Sequence, residues 1–311
     1  MSQQTYAVIG GGAIGGYYGG CLARVGQAVH FLFRTRGEAE HVRTHGLHID
    51  SPRGGFLLSE APAYHDVRDM PRSDVVIVAL KTTQNHLLPN LLPPIVKPGG
   101  SVLMLQNGLG AETQAANAVG EAVTILGGLC FVCIHKQGPG HIEHKDYGLV
   151  TVGEYRADGQ PAGNTGAVQQ VLDDFVPTKI PFEAAPDLTL ARWKKLVWNV
   201  PFNGLCVAEQ TTTDELVCSP EHLAHVEALM REVQAGCEAV TGRAIDEAHV
   251  QKMLDNTRRM TPYKPSMMLD FEAGRPMEVE AIFGEPVRQA EAAGAAVPRM
   301  RALYEHLTKL R

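Results

Sequence analysis

The first half of the chain is built from short, continuously apolar runs. Residues 5–9 (TYAVI), 29–33 (VHFLF), 75–80 (VVIVAL) and 102–105 (VLML) contain few polar positions. Runs of this length without strict polar alternation predict strands buried on both faces. Between them lie segments with helical patterning, the first over 13–25 and rich in Gly, Ala and Leu. Strands separated by helices of this length predict crossover units and a mainly parallel, doubly wound sheet. The turn KPGG introduces the run 102–105, and a further β-rich section, 123–153, contains QGPGH, which reads as a hairpin turn. Beyond about residue 183 the period becomes that of a helix. The segment PDLTLARWKKLVWNVPFNGLCVAEQ opens with a proline and an aspartate suited to capping. Helical patterns continue over 221–241, 246–259, 277–293 and 298–310. The expected fold is α/β, with the sheet domain over 1–184 and an all-α domain over 185–311.

Composition narrows the classes. A chain of 311 residues has room for two ordinary domains. At 44% hydrophobic residues it can bury a substantial core. A net charge of -6 argues against general nucleic-acid binding, which needs clustered cations. No run reaches the roughly 18 apolar residues of a bilayer span. No basic segment followed by an apolar core opens the chain, so no signal peptide is expected. Six cysteines are ordinary usage, and a cytoplasmic protein with reduced thiols is expected. Cys130 and Cys133 form a C-x-x-C, but it lies in ILGGLCFVCI, which reads as a buried strand whose positions three apart face opposite ways. No second C-x-x-C completes a zinc site. His135, His141 and His144 have no helical metal spacing and read as surface or packing residues, so no metal site is expected.

Glycines at 10, 12 and 15 follow the first strand and open the first helix. In that setting the spacing is the fingerprint of a Rossmann-type dinucleotide cradle. Gly10 makes the tight turn, Gly12 admits a pyrophosphate to the backbone, and Gly15 allows close helix–strand packing. The helix N-terminus, spanning Gly11 to Gly15 with Ala13 and Ile14, offers amide donors to the phosphates. An NAD site usually ends the second strand with an acid. Here the strand ends HFLFRTR, and no acid occurs before Glu38. Arg34 stands in the acid's place with Arg36 behind it, and a guanidinium suits a 2′-phosphate. NADP(H) is therefore the expected cofactor, the alternative being that both arginines are solvated loop charges. Lys81 and Gln84 follow the strand 75–80, and Asn107 follows 102–105. Loops at the carboxyl ends of strands are where such sheets bind ligands.

The helical half supplies the chemistry. Lys195, Asn199 and Asn203 are spaced four apart and line one face of a helix. Asparagine is a mediocre helix former, so two of them among tryptophans, leucines and valines call for a reason. An ammonium and two amides can hold a carboxylate and a hydroxyl, though a solvated polar face would read the same way. Downstream, Glu278 and Glu280 read as opening a helix, where acids often serve only the dipole. Ser266 reads as an N-cap or a ligand contact.

Taken together, these segments make the chain resemble the ketopantoate reductases (2-dehydropantoate 2-reductases) almost from end to end. The resemblance rests on GGGAIG, the position of Arg34, LKTTQ, QNGLG, RWKKLVWNVPFN, SMMLDFEAGRPMEVEAIFG and GAAVP. It implies NADPH-dependent reduction of a 2-oxo acid, with ketopantoate the first choice. By the same resemblance Lys195 is the proton donor to the keto oxygen, and Asn199 and Asn203 bind substrate. Ser266 contacts the substrate carboxylate, and Glu278 is the essential glutamate near the substrate hydroxyl and the cofactor. Asn107 touches substrate and the nicotinamide ribose, while Lys81, Gln84 and Arg34 contact the adenosine end. The segment around Ile134 departs from the small, hydroxyl-rich strand of the best-known members, and some relatives carry asparagine near Thr213. A reductase of another 2-oxo acid and a silent NADP(H)-binding protein are the competing readings. The partners implied are a small 2-oxo acid, no nucleic acid and no membrane. A homodimer is compatible with the sequence.

Overall fold

A computed structural model describes residues 4–310. Residues through Gln106, together with Ala111–Leu188, form one compact unit, and Asn107–Gly110 with the residues from Thr189 onward form the other. The first unit holds the strands β1 (Thr5–Ile9), β2 (Ala28–Leu32), β3 (Leu47–Asp50), β4 (Phe56–Leu58) and β5 (Ala63–Tyr64). It continues with β6 (Ser73–Val78), β7 (Val96–Met104), β8 (Thr124–Gly138), β9 (His141–Glu154) and β10 (Phe182–Ala184). These ten strands make one sheet in the order β4-β3-β9-β8-β7-β6-β1-β2-β5, with β10 also paired to β9. All neighbours run parallel except β3–β4 and the long hairpin β8–β9. Its helices are α1 (Ala13–Arg24), α2 (Arg36–His45), α3 (Leu88–Leu91), α4 (Ala111–Val119) and α5 (Gly166–Phe175).

The continuous apolar runs are explained by the two faces of this sheet. Successive side chains on a strand point to opposite sides. Tyr6 and Val8 of β1, Val75 and Ile77 of β6, and Leu103 of β7 pack into one core. Ala7 and Ile9, Val76 and Val78, and Val102 and Met104 pack into a second core on the other face. With both faces covered, neither set of positions can be polar.

The glycine turn sits where β1 meets α1. Gly10 has φ +93°, and the N–H groups of Gly10 and Gly11 both donate to Leu32 O, at 3.2 and 3.0 Å. A Cβ on Gly15 would stand 2.3 Å from Gly10 O and 2.7 Å from Val8 Cγ1. That contact is the close helix–strand approach the spacing predicts.

The second unit contains α6 (Leu188–Glu209), α7 (Thr213–Cys218), α8 (Pro220–Thr241), α9 (Glu247–Arg259), α10 (Ser266–Glu272), α11 (Glu285–Ala292) and α12 (Pro298–Lys309). A π-helical turn, Glu280–Gly284, leads into α11. Trp193, Val197, Val200 and Phe202 of α6 share one core with Met230 and Val233 of α8 and Val287 of α11. Gly236 of α8 lets the helices close on each other: a Cβ there would lie 3.1 Å from the Trp193 ring and from Ala290 Cβ. No helix among the described residues is long and apolar enough to cross a membrane.

Five expectations are corrected. The segment KPGG is not a turn before the strand but lies inside β7, which begins at Val96 and meets β6 with a register shift there. The run ILGGLCFVCI is not buried throughout, because Cys130 and Cys133 are half-buried and Phe131 is exposed. β7 pairs with β8 only through Gly127, so the far half of the β8–β9 hairpin has no neighbour on that side. Residues 277–293 are not one regular helix, and Glu280 begins the π turn rather than an α-helix. The short helix α10 was not expected, and Ser266 is its first residue while Pro265 occupies the cap. The small strands β3 to β5 were also unforeseen; at two to four residues they carry too few positions for a period to show.

Gly15→Ala places helix propensity against packing. Alanine is the better helix former by about 1 kcal/mol, but the clash is with backbone oxygen, which cannot turn aside. The expected outcome in urea unfolding is a net loss of about 1–3 kcal/mol. Gly37→Ala in α2 meets nothing within 4 Å and is expected to be neutral or stabilising.

Candidate active site

In the sheet unit, the end of β1 runs into a glycine turn at a helix N-terminus. Gly12 caps α1 with no side-chain hydrogen bond, and no acid lies in the helix's first turn. A Cβ on Gly11 would strike the Phe33 ring at 2.5 Å, whereas one on Gly12 would meet nothing within 4 Å. The protein therefore closes around Gly11 and Gly15 and leaves space at Gly12. The first-turn amides of Ala13 and Ile14 border that space, and the positive end of the helix suits a pyrophosphate.

Arg34 follows buried Phe33 and is exposed. Thr35 then caps α2, its hydroxyl accepting from the Glu38 N–H at 3.2 Å. Arg36 is the first residue of α2, with its guanidinium 3.3 Å from His65 Nε2. Lys136 of β8 pairs with Glu38. Burial, and then the charge of Arg34, hold the Lys136 ammonium below its ordinary pKa. Glu38 is thus matched by a lysine and does not oppose the charge of Arg34. That setting favours a phosphate over a plain ribose hydroxyl.

Beyond β6, Lys81 precedes a 3₁₀ turn, Thr82–Leu87, and Gln84 N–H donates to Lys81 O at 2.9 Å. Sequence reasoning missed the residue that braces this loop. Buried Gln106, just past β7, donates from Nε2 to Leu80 O at 2.8 Å and to Asn85 Oδ1 at 2.7 Å. The only sequence signal was its place beside Asn107.

In the helical unit, α6 carries the row Lys195, Asn199 and Asn203, all buried despite their polarity. Lys195 Nζ donates to Asn107 Oδ1 at 2.9 Å. Asn203 Nδ2 lies 3.5 Å from Asn199 Oδ1, and Asn203 Oδ1 accepts from the Met267 N–H at 3.3 Å. That last bond sets Asn203 beside the start of α10, where Ser266 precedes Met267. Pro201 lies inside α6 between the two asparagines and removes one rung of helix hydrogen bonding.

The π turn holds Asn107 in place. Glu285 N–H bonds to Glu280 O, one residue further back than in an α-helix, and so bypasses Ala281. The next residue, Pro286, has no N–H to give. Ala281 O instead accepts from Leu109 N–H at 2.9 Å. Gly108 makes this approach feasible: its φ is +83°, and a Cβ there would stand 2.2 Å from Ala281 O. Glu278 is buried immediately before the same turn, and its own carbonyl accepts from Ile282 N–H at 3.2 Å. One backbone segment thus carries Glu278 and grips the loop whose Asn107 holds Lys195.

Two further buried polar groups in this unit, Asp270 and Arg192, escaped the sequence reading; Asp270 pairs with Arg275 at 3.0 Å. Thr213, near which some relatives carry asparagine, is fully buried, and its hydroxyl has no hydrogen-bond partner among the described residues. Its N–H donates to Tyr263 O at 3.1 Å, which ties it to the segment leading into α10.

Comparison with known proteins places this geometry. The model of "Ketopantoate reductase PanE/ApbA" matches residues 6–157, and that of its C-terminal part matches residues 187–311. The chain belongs to the ketopantoate reductase family. It is 48% identical over 307 residues to the 2-dehydropantoate 2-reductase of Nostoc sp., covering 99% of this chain and 95% of that one. The solved structure of 2-dehydropantoate 2-reductase from Geobacter metallireducens superimposes with a TM-score of 0.92 at 36% identity, covering 99% of this chain and all of that one. A D-mandelate dehydrogenase solved with NADH and anilino(oxo)acetate shares the fold, with a TM-score of 0.85 at 20% identity over 98% of each chain.

Gly108→Ala tests the grip on this loop. Both Gly108 and Gly110 have positive φ, but a Cβ on Gly110 would meet only the Glu285 side chain, at 3.4 Å. Both alanines carry the backbone strain of positive φ. The Gly108 variant is expected to lose about 1–3 kcal/mol more in chemical denaturation, because it alone meets backbone.

Proposed function

We propose that this chain reduces 2-dehydropantoate to pantoate with NADPH, the step that serves pantothenate biosynthesis. The observation that carries this reading is the buried Lys195 ammonium, held on Asn107 Oδ1 in a row with Asn199 and Asn203. A buried ammonium in a polar row carries a desolvation cost, and such groups gather at functional sites.

NADPH, when bound, supplies the hydride, and the residues of this chain supply position, charge and a proton. The Gly10–Gly15 turn and the α1 N-terminus hold the pyrophosphate. Arg34 takes the 2′-phosphate, with Lys136 neutralising Glu38 beside it, and Lys81 and Gln84 complete the adenosine side. Lys195 donates a hydrogen bond to the keto oxygen, stabilises the negative charge that develops there, and gives its proton to form the alcohol. Asn107 fixes the direction of the ammonium before substrate arrives. Asn199, Asn203 and Ser266 bind the carboxylate and hydroxyl of the substrate. Glu278 orients the substrate hydroxyl and balances the lysine charge. The Thr213 hydroxyl, without a partner among the described residues, is a further group that can meet a polar substrate atom. None of the six cysteines is in a disulfide, in keeping with a reducing compartment, and we place the enzyme in the cytoplasm.

Lys195→Ala is expected to lower kcat by about a hundredfold or more, the scale of general acid–base catalysis. NADPH oxidation with a panel of 2-oxo acids measures this, and a near-unchanged kcat removes Lys195 from the role. Arg34→Ala is expected to weaken NADPH far more than NADH. Equal weakening of both, read by fluorescence titration, separates Arg34 from the 2′-phosphate.

A further inference from the structure

Outside the reductase site, one cluster of side chains converges without a part in the reaction. β3 and β9 run parallel with His48 directly opposite His141. Positions two apart on a strand share a face, so Asp50 lies on the same side as His48. The two imidazoles stack with centroids 4.6 Å apart and planes 11° apart. His48 Nε2 lies 3.2 Å from one carboxylate oxygen of Asp50, and His141 Nε2 lies 2.7 Å from the other. One ligand atom from each of the three residues falls within 4.8 Å of the others. Among the described residues, no lysine or arginine takes up the Asp50 carboxylate; its hydrogen-bond and ion-pair partners are these two rings.

We propose that His48, Asp50 and His141 form a binding site for a divalent transition-metal ion of the zinc type. Two imidazoles and one carboxylate suit zinc, cobalt, nickel or copper, whereas calcium and magnesium prefer all-oxygen sets. At zinc–ligand distances of about 2.0–2.2 Å, tetrahedral ligand atoms lie roughly 3.3–3.6 Å apart. The present spacing therefore needs a rearrangement of about an ångström, and the half-exposed side chains are free to make it. Each ring now faces the carboxylate through Nε2. Moving that proton to Nδ1 presents a lone pair without changing the ring's charge. Three protein ligands leave a coordination position for water. All three ligands stand on paired strands, so the sheet fixes their Cα positions before an ion arrives. The ion ties β3, which pairs with edge strand β4, to the central hairpin strand β9. The sequence disguised the site, because His48 and His141 are 93 residues apart and meet only through strand register.

A second histidine pair, His41 and His45 on α2, supplies the control. Its rings stack at 4.4 Å, but no carboxylate completes the set, and His45 Nδ1 lies 3.1 Å from His41 O. The test is calorimetric titration of the chelator-treated full chain with zinc chloride, alongside visible absorption with cobalt(II) and thermal melts. One ion per chain is expected, with a rise in Tm. His48→Ala and His141→Ala should each weaken binding at least ~10–100-fold, the cost of losing even a supporting residue of a metal site. His41→Ala should leave binding unchanged, and NADPH binding by every variant verifies folding. Binding no tighter than about 1 mM overturns the proposal. So does zinc binding that survives the double replacement of His48 and His141, which would assign the ion to His41 and His45 or to exposed Cys218.

Discussion

One backbone hydrogen bond, from Leu109 N–H to Ala281 O, underlies the arrangement of the helical unit's polar core. It exists because two ordinary donors are missing. Glu285 N–H reaches past Ala281 to Glu280, and Pro286 has no N–H. A carbonyl left this way inside a protein must find another donor or bear a desolvation cost of about 1–3 kcal/mol. The Asn107–Gly110 loop provides that donor, and Gly108 lets it come close enough. Asn107 then stands where it can hold Lys195. Helical irregularity here is the means by which a loop is pinned beside a catalytic candidate, a setting in which π turns recur.

Burial of the Lys195 row sets the second condition. An ammonium and two amides packed among Trp193, Leu196 and Val200 are unfavourable unless each has a partner. The structure supplies partners one by one: Asn107 for Lys195, Asn199 for Asn203, and the Met267 amide of α10 for Asn203. Such a network fixes the direction of the ammonium, which the proton-donor role proposed for Lys195 requires. In the sheet unit the corresponding economy is of space. Side-chain atoms are excluded at Gly11 and Gly15 by their neighbours, while Gly12 faces open space at a helix N-terminus. Close packing and the open space at Gly12 are thereby separated by single residues.

The β8–β9 hairpin contributes to two places at once. Lys136 on β8 neutralises Glu38 beside Arg34, and His141 on β9 meets His48 and Asp50. The hairpin can do this because it outruns its neighbour β7, leaving its far half free to carry polar side chains rather than core. The same fact explains why Cys130 and Cys133 are only half-buried in a run that looks apolar throughout.

Local patterning was sufficient for the Rossmann-type sheet. β1 matched its run residue for residue, and β2 and β6 matched theirs to within about two residues, because a strand buried on both faces cannot admit polar positions and a glycine turn at a helix start has a fixed spacing. The helical half was likewise legible from its period, with α8, α9 and α12 within a residue of expectation, and the Lys195, Asn199 and Asn203 row from its spacing of four. What tertiary structure decided was everything that depends on partners distant in sequence. No local pattern reveals that Ala281 O is filled by Leu109, that Gln106 braces Leu80 and Asn85, or that parallel register sets His48 against His141. The sequence determined which faces must be buried, because burial acts on each residue by its own chemistry. Only the folded chain decided which polar groups meet, because a hydrogen bond needs two atoms brought to about 3 Å, and that distance belongs to the pair.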